Sequence, residues 1–501
     1  MTARVRGNSK RIVQRDSVDP LDCDSPLLGR LFASRGLVSI EELDHSLQGL
    51  LPPSALKGID SAAEIVCAAI EAEASILVVG DFDADGATSC ALLVSALRAM
   101  RVSSVNYLVP DRFKYGYGLS PEIVEVAASL SPDLLITVDN GIASIEGVEL
   151  ANSLGIEVIV TDHHLPGSSL PGASAIVNPN QPGCEFPSKH LAGVGVAFYL
   201  LSVVRSELRA RNWFDGRNEP NLADWLDLVA LGTIADVVQL DQNNRRLVHE
   251  GLRRIRAGRA RPGLNALIEI SGLDRTTLHT RDLAFSVAPR LNAAGRLQDM
   301  TVGIECLLST GDKALELATH LDELNQERRE IEANMRDQAL QFLEELSLDD
   351  RKIAGLCVYR DNWHEGVVGI IASRIKERAF RPVIAFAPVA DGELKGSGRS
   401  VAGFHMRDAL DAIATRHPGL LLRFGGHAMA AGLSLKRADF EQFSAAFDVE
   451  VAKSLGEANQ EQVVTTDGAL GEDISIHTAR LLESAAPWGQ GLGSRRVDRA
   501  A

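Results

Sequence analysis

Three short apolar runs in the first third of the chain each end on acid, and nothing else in the sequence constrains the fold as tightly. SILVVG (75–80) leads into Asp81-Phe82-Asp83-Ala84-Asp85-Gly86, LLITV (134–138) into Asp139-Asn140-Gly141, and IEVIVT (156–161) into Asp162-His163-His164. A short, uniformly apolar run reads as a strand buried on both faces. Helical stretches separate the runs, Ala87 to Met100 and Ile142 to Leu154. Strands alternating with helices predict a parallel sheet with covered faces. In such a sheet the carboxyl ends of the strands line the binding crevice. Three acidic motifs from distant positions should therefore converge on one edge. A fourth acid, Asp236 in ALGTIADVV (230–238), follows an apolar run in the same way.

Carboxylates packed together repel one another, and some must protonate unless cations neutralise them. Hard divalent ions such as Mg²⁺ or Mn²⁺ match oxygen ligands with an occasional imidazole. Asp81, Asp83 and Asp85 alternate, so an extended segment would project them to one side. Gly86 permits a tight exit into the following helix. Taken singly, the motifs have plainer readings. DxDxDG could be a calcium loop or a set of turn residues, and DHH a helix cap with a structural histidine. An EF-hand loop needs a glutamate at its twelfth position, where Leu92 stands.

A chain of 501 residues suggests about three domains. The polar amino terminus MTARVRGNSKR has no apolar core, so no signal peptide is expected. Leu191 to Val204, the longest largely apolar stretch, is shorter than the roughly 20 residues that span a bilayer, so no membrane is expected. The six cysteines form no CxxC pair, which argues against a zinc site or a disulfide framework and fits a reducing cytoplasm. A net charge of −16 argues against a passive DNA-coating protein. It leaves room for a local basic groove. Seven arginines between Arg245 and Arg261 read most simply as a solvated helix face.

The pattern predicts an amino-terminal arm of short helices over 1–60 and a parallel-sheet α/β domain over 61–305. A long helix is expected within 306–350, since GDKALELATHLDELNQERREIEANMRDQALQFLEEL (311–346) lacks proline and internal glycine. A smaller α/β domain follows over 351–458, with strands IAGLCVY (353–359) and VIAFA (383–387) flanking a helix from Val367 to Phe380. Residues 459–501 hold one strand-like piece, QVVTTDGAL, and one helix, Thr478 to Ala486.

DFDADG, VDNG, TDHH and ADVV, in this order, resemble the motifs of the DHH phosphoesterases. Further stretches narrow the resemblance to the RecJ branch: VPDRFKYGYGLSPE, NPNQPGCEFPSKHLAGVGVAF, APRLNAAGRL, WHEGVVGIIASRIKE, LKGSGRS and RFGGHAMAAGL. It covers roughly residues 50 to 490. It implies a 5′-to-3′ exonuclease that degrades single-stranded DNA to mononucleotides with two Mg²⁺ or Mn²⁺ ions, in repair and recombination. It also implies a DHH domain, a DHH-associated domain and an OB-like domain, and as possible partners a single-strand-binding protein and a helicase.

By the same resemblance Asp81, Asp83 and Asp139 would serve one metal. Asp85, Asp139, His163 and Asp236 would serve the other, with Asp139 shared. Asp162 would orient the imidazoles. His164 would polarise the phosphate or protonate the leaving group, or else be a buried structural histidine. In the second domain Ser397 and Arg399 of GSGRS, Gly425, Gly426 and His427 of a glycine turn, and Arg374 are candidates for capturing a terminal 5′-phosphate. Arg112, Arg290 and Arg296 are candidate contacts to the DNA backbone. Phe113, Tyr115 and Tyr117 suit base stacking beside Arg112, or a packed loop.

Rival readings are an oligoribonuclease, a cyclic-dinucleotide phosphodiesterase or a pyrophosphatase of the same superfamily, and a catalytically dead scaffold, which should have lost metal ligands. The resemblance stops at Gly491, before LGSRRVDRAA. That reads as a truncated or frameshifted end, leaving an OB-like remnant too small to close a barrel. Residues from about 460 onward are expected to pack loosely.

Overall fold

The computed structural model of the chain describes residues 11–16, 18–111, 114–115, 118–216, 218–345, 353–389, 392–455, 463–470 and 474–492. Two compact units divide it: residues 15–325 with 466–501, and residues 1–14 with 326–465. The division falls inside one helix, Asp312–Glu345.

After a short strand β1 (Arg11–Gln14), the first unit is built on β2 (Ile76–Val79), β3 (Val105–Leu108), β4 (Leu134–Val138), β5 (Glu157–Thr161) and β6 (Ala175–Val177). These five strands form one parallel sheet in the order β3-β2-β4-β5-β6. Side chains alternate across it as the pleat requires. Ile76, Val78, Ile136 and Val138 enter the large core beneath helices Ile59–Glu71, Ala84–Ala99, Gly193–Ala210 and Leu226–Ala235. Leu77, Val79, Leu135 and Val158 enter the opposite core, under Pro121–Ala128 and Ile145–Ser153. Both faces are thus apolar, which is why the runs carry no polar alternation. The chain winds outward from β2 to β3 and then returns to β4 on the other side. The sheet's switch point therefore lies between the ends of β2 and β4, where ligands bind in open α/β sheets.

The second unit carries β7 (Leu356–Tyr359), β8 (Val383–Pro388), β9 (Glu393–Arg399), β10 (Arg423–Gly426) and β11 (Ala430–Lys436), in the order β10-β11-β9-β8-β7. Only β7 and β8 are parallel, with helix Val368–Ala379 between them. Ser397 and Arg399 of GSGRS lie in β9, and Gly425 and Gly426, expected in a glycine turn, end β10. Glycine on alternate positions of β9 makes room for neighbours: a Cβ on Gly396 would meet the Phe386 ring at 2.5 Å.

Three further expectations need correction. Asp236 follows a helix, not a strand, because a helix buried all round has the same uniformly apolar sequence as a buried strand. The arginine run is a solvated face only in part: Arg253 and Arg259 are exposed, but Arg245, Arg246 and Arg254 are buried on helix Gln242–Arg256 and lie against Glu42, Asp44 and Asp224. The described tail is not loosely packed. β12 (Val463–Thr466) pairs with β1, and the Arg35 guanidinium meets Asp467 at 2.7 Å. Trp488 stacks on Phe32 with centroids 5.7 Å apart, while Leu482 and Leu492 are buried. Among the described tail residues no barrel forms. The six cysteines are all free thiols. Among the described residues, no helix is long and apolar enough to cross a membrane.

Candidate active site

The DFDADG segment is not extended, as the alternating acids suggested. Helix Ala84–Ala99 begins inside it, with Asp83 as its cap: one Asp83 oxygen accepts from the Asp85 and Gly86 amides at 2.9 and 3.0 Å. Gly86 is needed for closeness rather than flexibility, since a Cβ there would meet the Asp81 carbonyl oxygen at 2.4 Å. Asp85 points back into the molecule. Its two oxygens accept from the backbone N–H groups of Gly193 and Val194 at 2.6 and 3.0 Å, at the start of helix Gly193–Ala210.

Asp139 leaves the end of β4 with φ +62°, a left-handed conformation that few residues other than glycine, asparagine and aspartate adopt readily. Gly193 packs directly on it; a Cβ there would lie 2.6 Å from the Asp139 Cβ. Asn140 donates to the Val79 and Val138 carbonyls at 3.1 and 2.9 Å, tying the ends of β2 and β4 together.

Asp162, at the end of β5, is buried and heavily used. One oxygen takes the His163 and His164 amides and the His164 Nδ1 at 2.8 Å, and the other takes the Ile142 amide. Asn178 and Asn180 hold the backbone carbonyls of His164 and His163 at 2.9 and 2.6 Å. The His163 Nε2 lies 3.0 Å from Asp139 and 3.4 Å from Asp236.

Three sets of ligating atoms result, each within 4.8 Å: Asp81, Asp83 and Asp139; Asp85, His163 and Asp236; and Asp139, His163 and His164. Electrostatics reflects the crowding. Burial first, then Asp83, pushes the Asp85 carboxyl up to about 7. Burial followed by Asp85 and Asp83 holds Asp139 and Asp236 well above the ordinary carboxylate range. Burial works against ionised Asp162, but its hydrogen bond to His164 and the charges of both imidazoles leave it lowered. For His164 burial is likewise overridden, by Asp162, Asp236 and Asp81, and its pKa is pushed up to about 9. An oxygen-rich set with one or two imidazoles, short of positive charge, fits a pair of hard dications.

Of the other candidates, Arg290 and Arg296 belong to the first unit, and Arg374, Ser397, Arg399, Gly425, Gly426 and His427 to the second. Arg290 forks onto Asp322 at 2.7 Å and bonds the Ser286 carbonyl, so it anchors its own helix. Arg296 is half-buried on that helix, Ala288–Leu297. Arg112, Phe113 and Tyr117 lie outside the described residues, and Tyr115 packs against the core.

In the second unit Ser397 and Arg399 point the same way from β9. The Arg399 Nη1 donates to the Ser397 Oγ at 2.9 Å, and a Cβ on Gly369 would stand 2.9 Å from the Arg399 Nη2. The pair thus sits against the first turn of helix Val368–Ala379. Among the described residues Arg399 has no acidic partner, and burial lowers its pKa. Arg374 on the same helix pairs with Glu332 and Glu377 at 3.2 and 3.6 Å. His427 opens the turn between β10 and β11, and its amide donates to the Ala430 carbonyl at 2.7 Å. Gly425 and Gly426 are the last residues of β10.

Sequence reasoning passed over the Gly193 and Val194 amides, Asn140, Asn178, Asn180 and Asn292. All of them stand in segments that carried the resemblance, but no side-chain chemistry marks a backbone amide or a bracing amide side chain.

Fold and site together define a DHH-type phosphoesterase. The model of the DHH family, N-terminal domain, matches residues 75–233, and that of the DHHA1 domain matches residues 351–453. The chain is 56% identical over 470 residues to the single-stranded-DNA-specific exonuclease RecJ of Salmonella typhimurium, covering 93% of this chain and 82% of that protein. It is 55% identical to the Escherichia coli protein of the same name, with the same coverage. The crystal structure of RecJ in complex with Mn²⁺ from Thermus thermophilus matches with a TM-score of 0.80 and 32% identity, over 97% of this chain and 69% of that one. The chain belongs to the RecJ family.

Proposed function

We propose that this chain is a metal-dependent exonuclease that hydrolyses single-stranded DNA from its 5′ end and releases mononucleotides, in DNA repair and recombination. The observation that carries the reading is the gathering of five carboxylates and two imidazoles at the switch point of the sheet. Mg²⁺ or Mn²⁺ would be held by Asp81, Asp83 and Asp139 on one side and by Asp85, Asp139, His163 and Asp236 on the other. Bound there, the ions would lower the pKa of a water and offset charge on the phosphate.

The protein's own part is to hold this geometry. Asp162 orients His164 through its Nδ1, and His164 would polarise the phosphate or protonate the leaving group. Helix Gly193–Ala210 keeps Asp85 in place through two amides. Ser397 and Arg399, at the first turn of a helix and without a carboxylate partner among the described residues, suit a terminal 5′-phosphate. Arg374, Gly425, Gly426 and His427 would assist there, and Arg112, Arg290 and Arg296 would contact the DNA backbone. A cytoplasmic setting with a single-strand-binding protein and a helicase as partners accords with this role.

The test is substrate choice. Purified protein with Mn²⁺ is offered a long single strand, the matching duplex, an oligoribonucleotide and a cyclic dinucleotide. The reading expects mononucleotides from the single DNA strand alone. Preferred turnover of the oligoribonucleotide or the cyclic dinucleotide would replace it by a sister activity.

A further inference from the structure

The first three amides of a helix have no partner within the helix. In helix Ala84–Ala99 the second and third are taken by Asp83, the cap residue. The first, on Ala84, donates to the side-chain oxygen of Asn292 at 2.8 Å, from a residue 208 positions away. Asn292 thus closes the amino-terminal cap of the helix that carries Asp83 and Asp85.

The rest of its helix, Ala288–Leu297, is shaped to keep that contact. A Cβ on Gly295 would lie 1.8 Å from the Phe82 carbonyl oxygen, so only glycine lets the helix touch the loop here. Arg290 fixes the other end through Asp322 and the Ser286 carbonyl. The preceding turn, Leu283–Val287, is a π-helix, a form that re-aims the residues after it. Anchor, amide contact and glycine contact fall at 290, 292 and 295, and the last two meet the DFDADG loop on either side of Asp83.

We infer that Asn292 is a positioning residue for the metal-binding loop, holding Asp81, Asp83 and Asp85 in register for a divalent cation. The inference rests on the metal-centre reading above. In this role Asn292 acts through the Ala84 amide.

The test measures Mn²⁺ affinity by calorimetry on the full chain, with melting temperature in EDTA as a fold control. Asn292→Ala should weaken Mn²⁺ binding about 10- to 100-fold, the usual cost of losing a group that orients metal ligands. Exonuclease turnover should fall at limiting Mn²⁺ and recover as Mn²⁺ is raised. Asn292→Asp keeps an acceptor oxygen in place and should restore most of the affinity. If the alanine variant does not fold, Asn292→Gln, whose acceptor is displaced by one methylene, is compared with Asn292→Asp in the same way. Mn²⁺ affinity at the wild-type value in the variant that lacks the acceptor, or in the one that displaces it, overturns the inference. Asp139→Asn, run alongside, separates the two claims. Unchanged Mn²⁺ binding in that variant sinks the metal centre itself, whereas a loss there beside an unaffected Asn292→Ala sinks only the positioning role.

Discussion

Asp139 concentrates the chemistry of the site in one residue. It sits in a left-handed backbone conformation, under Gly193, against His163 and among other acids. Asparagine tolerates that conformation and removes the charge, so Asp139→Asn should fold. Its turnover should drop by about 10²–10³-fold or more, the scale of losing one preorganised electrostatic group. Near-normal turnover in a nuclease assay would contradict the role given to Asp139. Asp85 adds a pH dependence. Its folded-state pKa is raised to about 7 from the ordinary 3.8. A raised folded value means that the folded state holds the proton more tightly, so this contribution is present in full below the unfolded value and lost as pH rises through about 7. In EDTA the melting temperature should carry a downward component between about pH 4 and pH 7, which Asp85→Asn lacks. Thermal melts of both proteins across that range check it. Equal slopes would show that Asp85 does not ionise in this window.

At the scale of elements, the strands β2, β4 and β5 were legible because burial on both faces erases polar alternation, and their acids begin where the strands end. The helix before Asp236 was not legible as a helix, because Leu226–Ala235 is apolar on every side. The packing role of the β9 glycines was not legible either, because the Phe386 ring and the Met406 side chain that they make room for stand in other segments. The buried arginines were misread because their acid partners lie in distant segments, Glu42, Asp44 and Asp224. Of the candidate site, the acids and both DHH-motif histidines come together. The amides and asparagines that hold them carried no signal of their own. β9 also sets the next prediction. Arg399→Ala should cost about 1.5–3 kcal/mol in kcat/KM on 5′-phosphorylated ends and less on 5′-hydroxyl ends. Equal losses on the two kinds of end would remove Arg399 as the phosphate reader.

Over the whole molecule, the carboxy-terminal segment joins the first unit instead of trailing from it. The Leu240 amide donates to the Gln490 carbonyl at 2.8 Å, and the Thr280 hydroxyl donates to the carbonyl of Trp488. With helix Gln242–Arg256 and residues 279–285, this segment walls a cavity of about 910 Å³ next to Asp236, bordered by Ala235 and Val237. Trp488 also covers Phe32 and lies under Arg35. Trp488→Ala should therefore destabilise the first unit by about 2–3 kcal/mol, the cost of removing a large, half-buried aromatic. Limited proteolysis should then cut near the arm and the tail sooner than in the wild type. An unchanged cleavage pattern would mean that the tail contributes no stability.

The central claim, a paired-cation centre on shared carboxylates, is tested most directly by anomalous diffraction from crystals soaked in Mn²⁺. Two peaks about 3.5–4 Å apart are predicted, with Asp139 touching both, Asp81 and Asp83 on one, and Asp85, His163 and Asp236 on the other. A single peak, or none among these residues at saturating Mn²⁺, would contradict it.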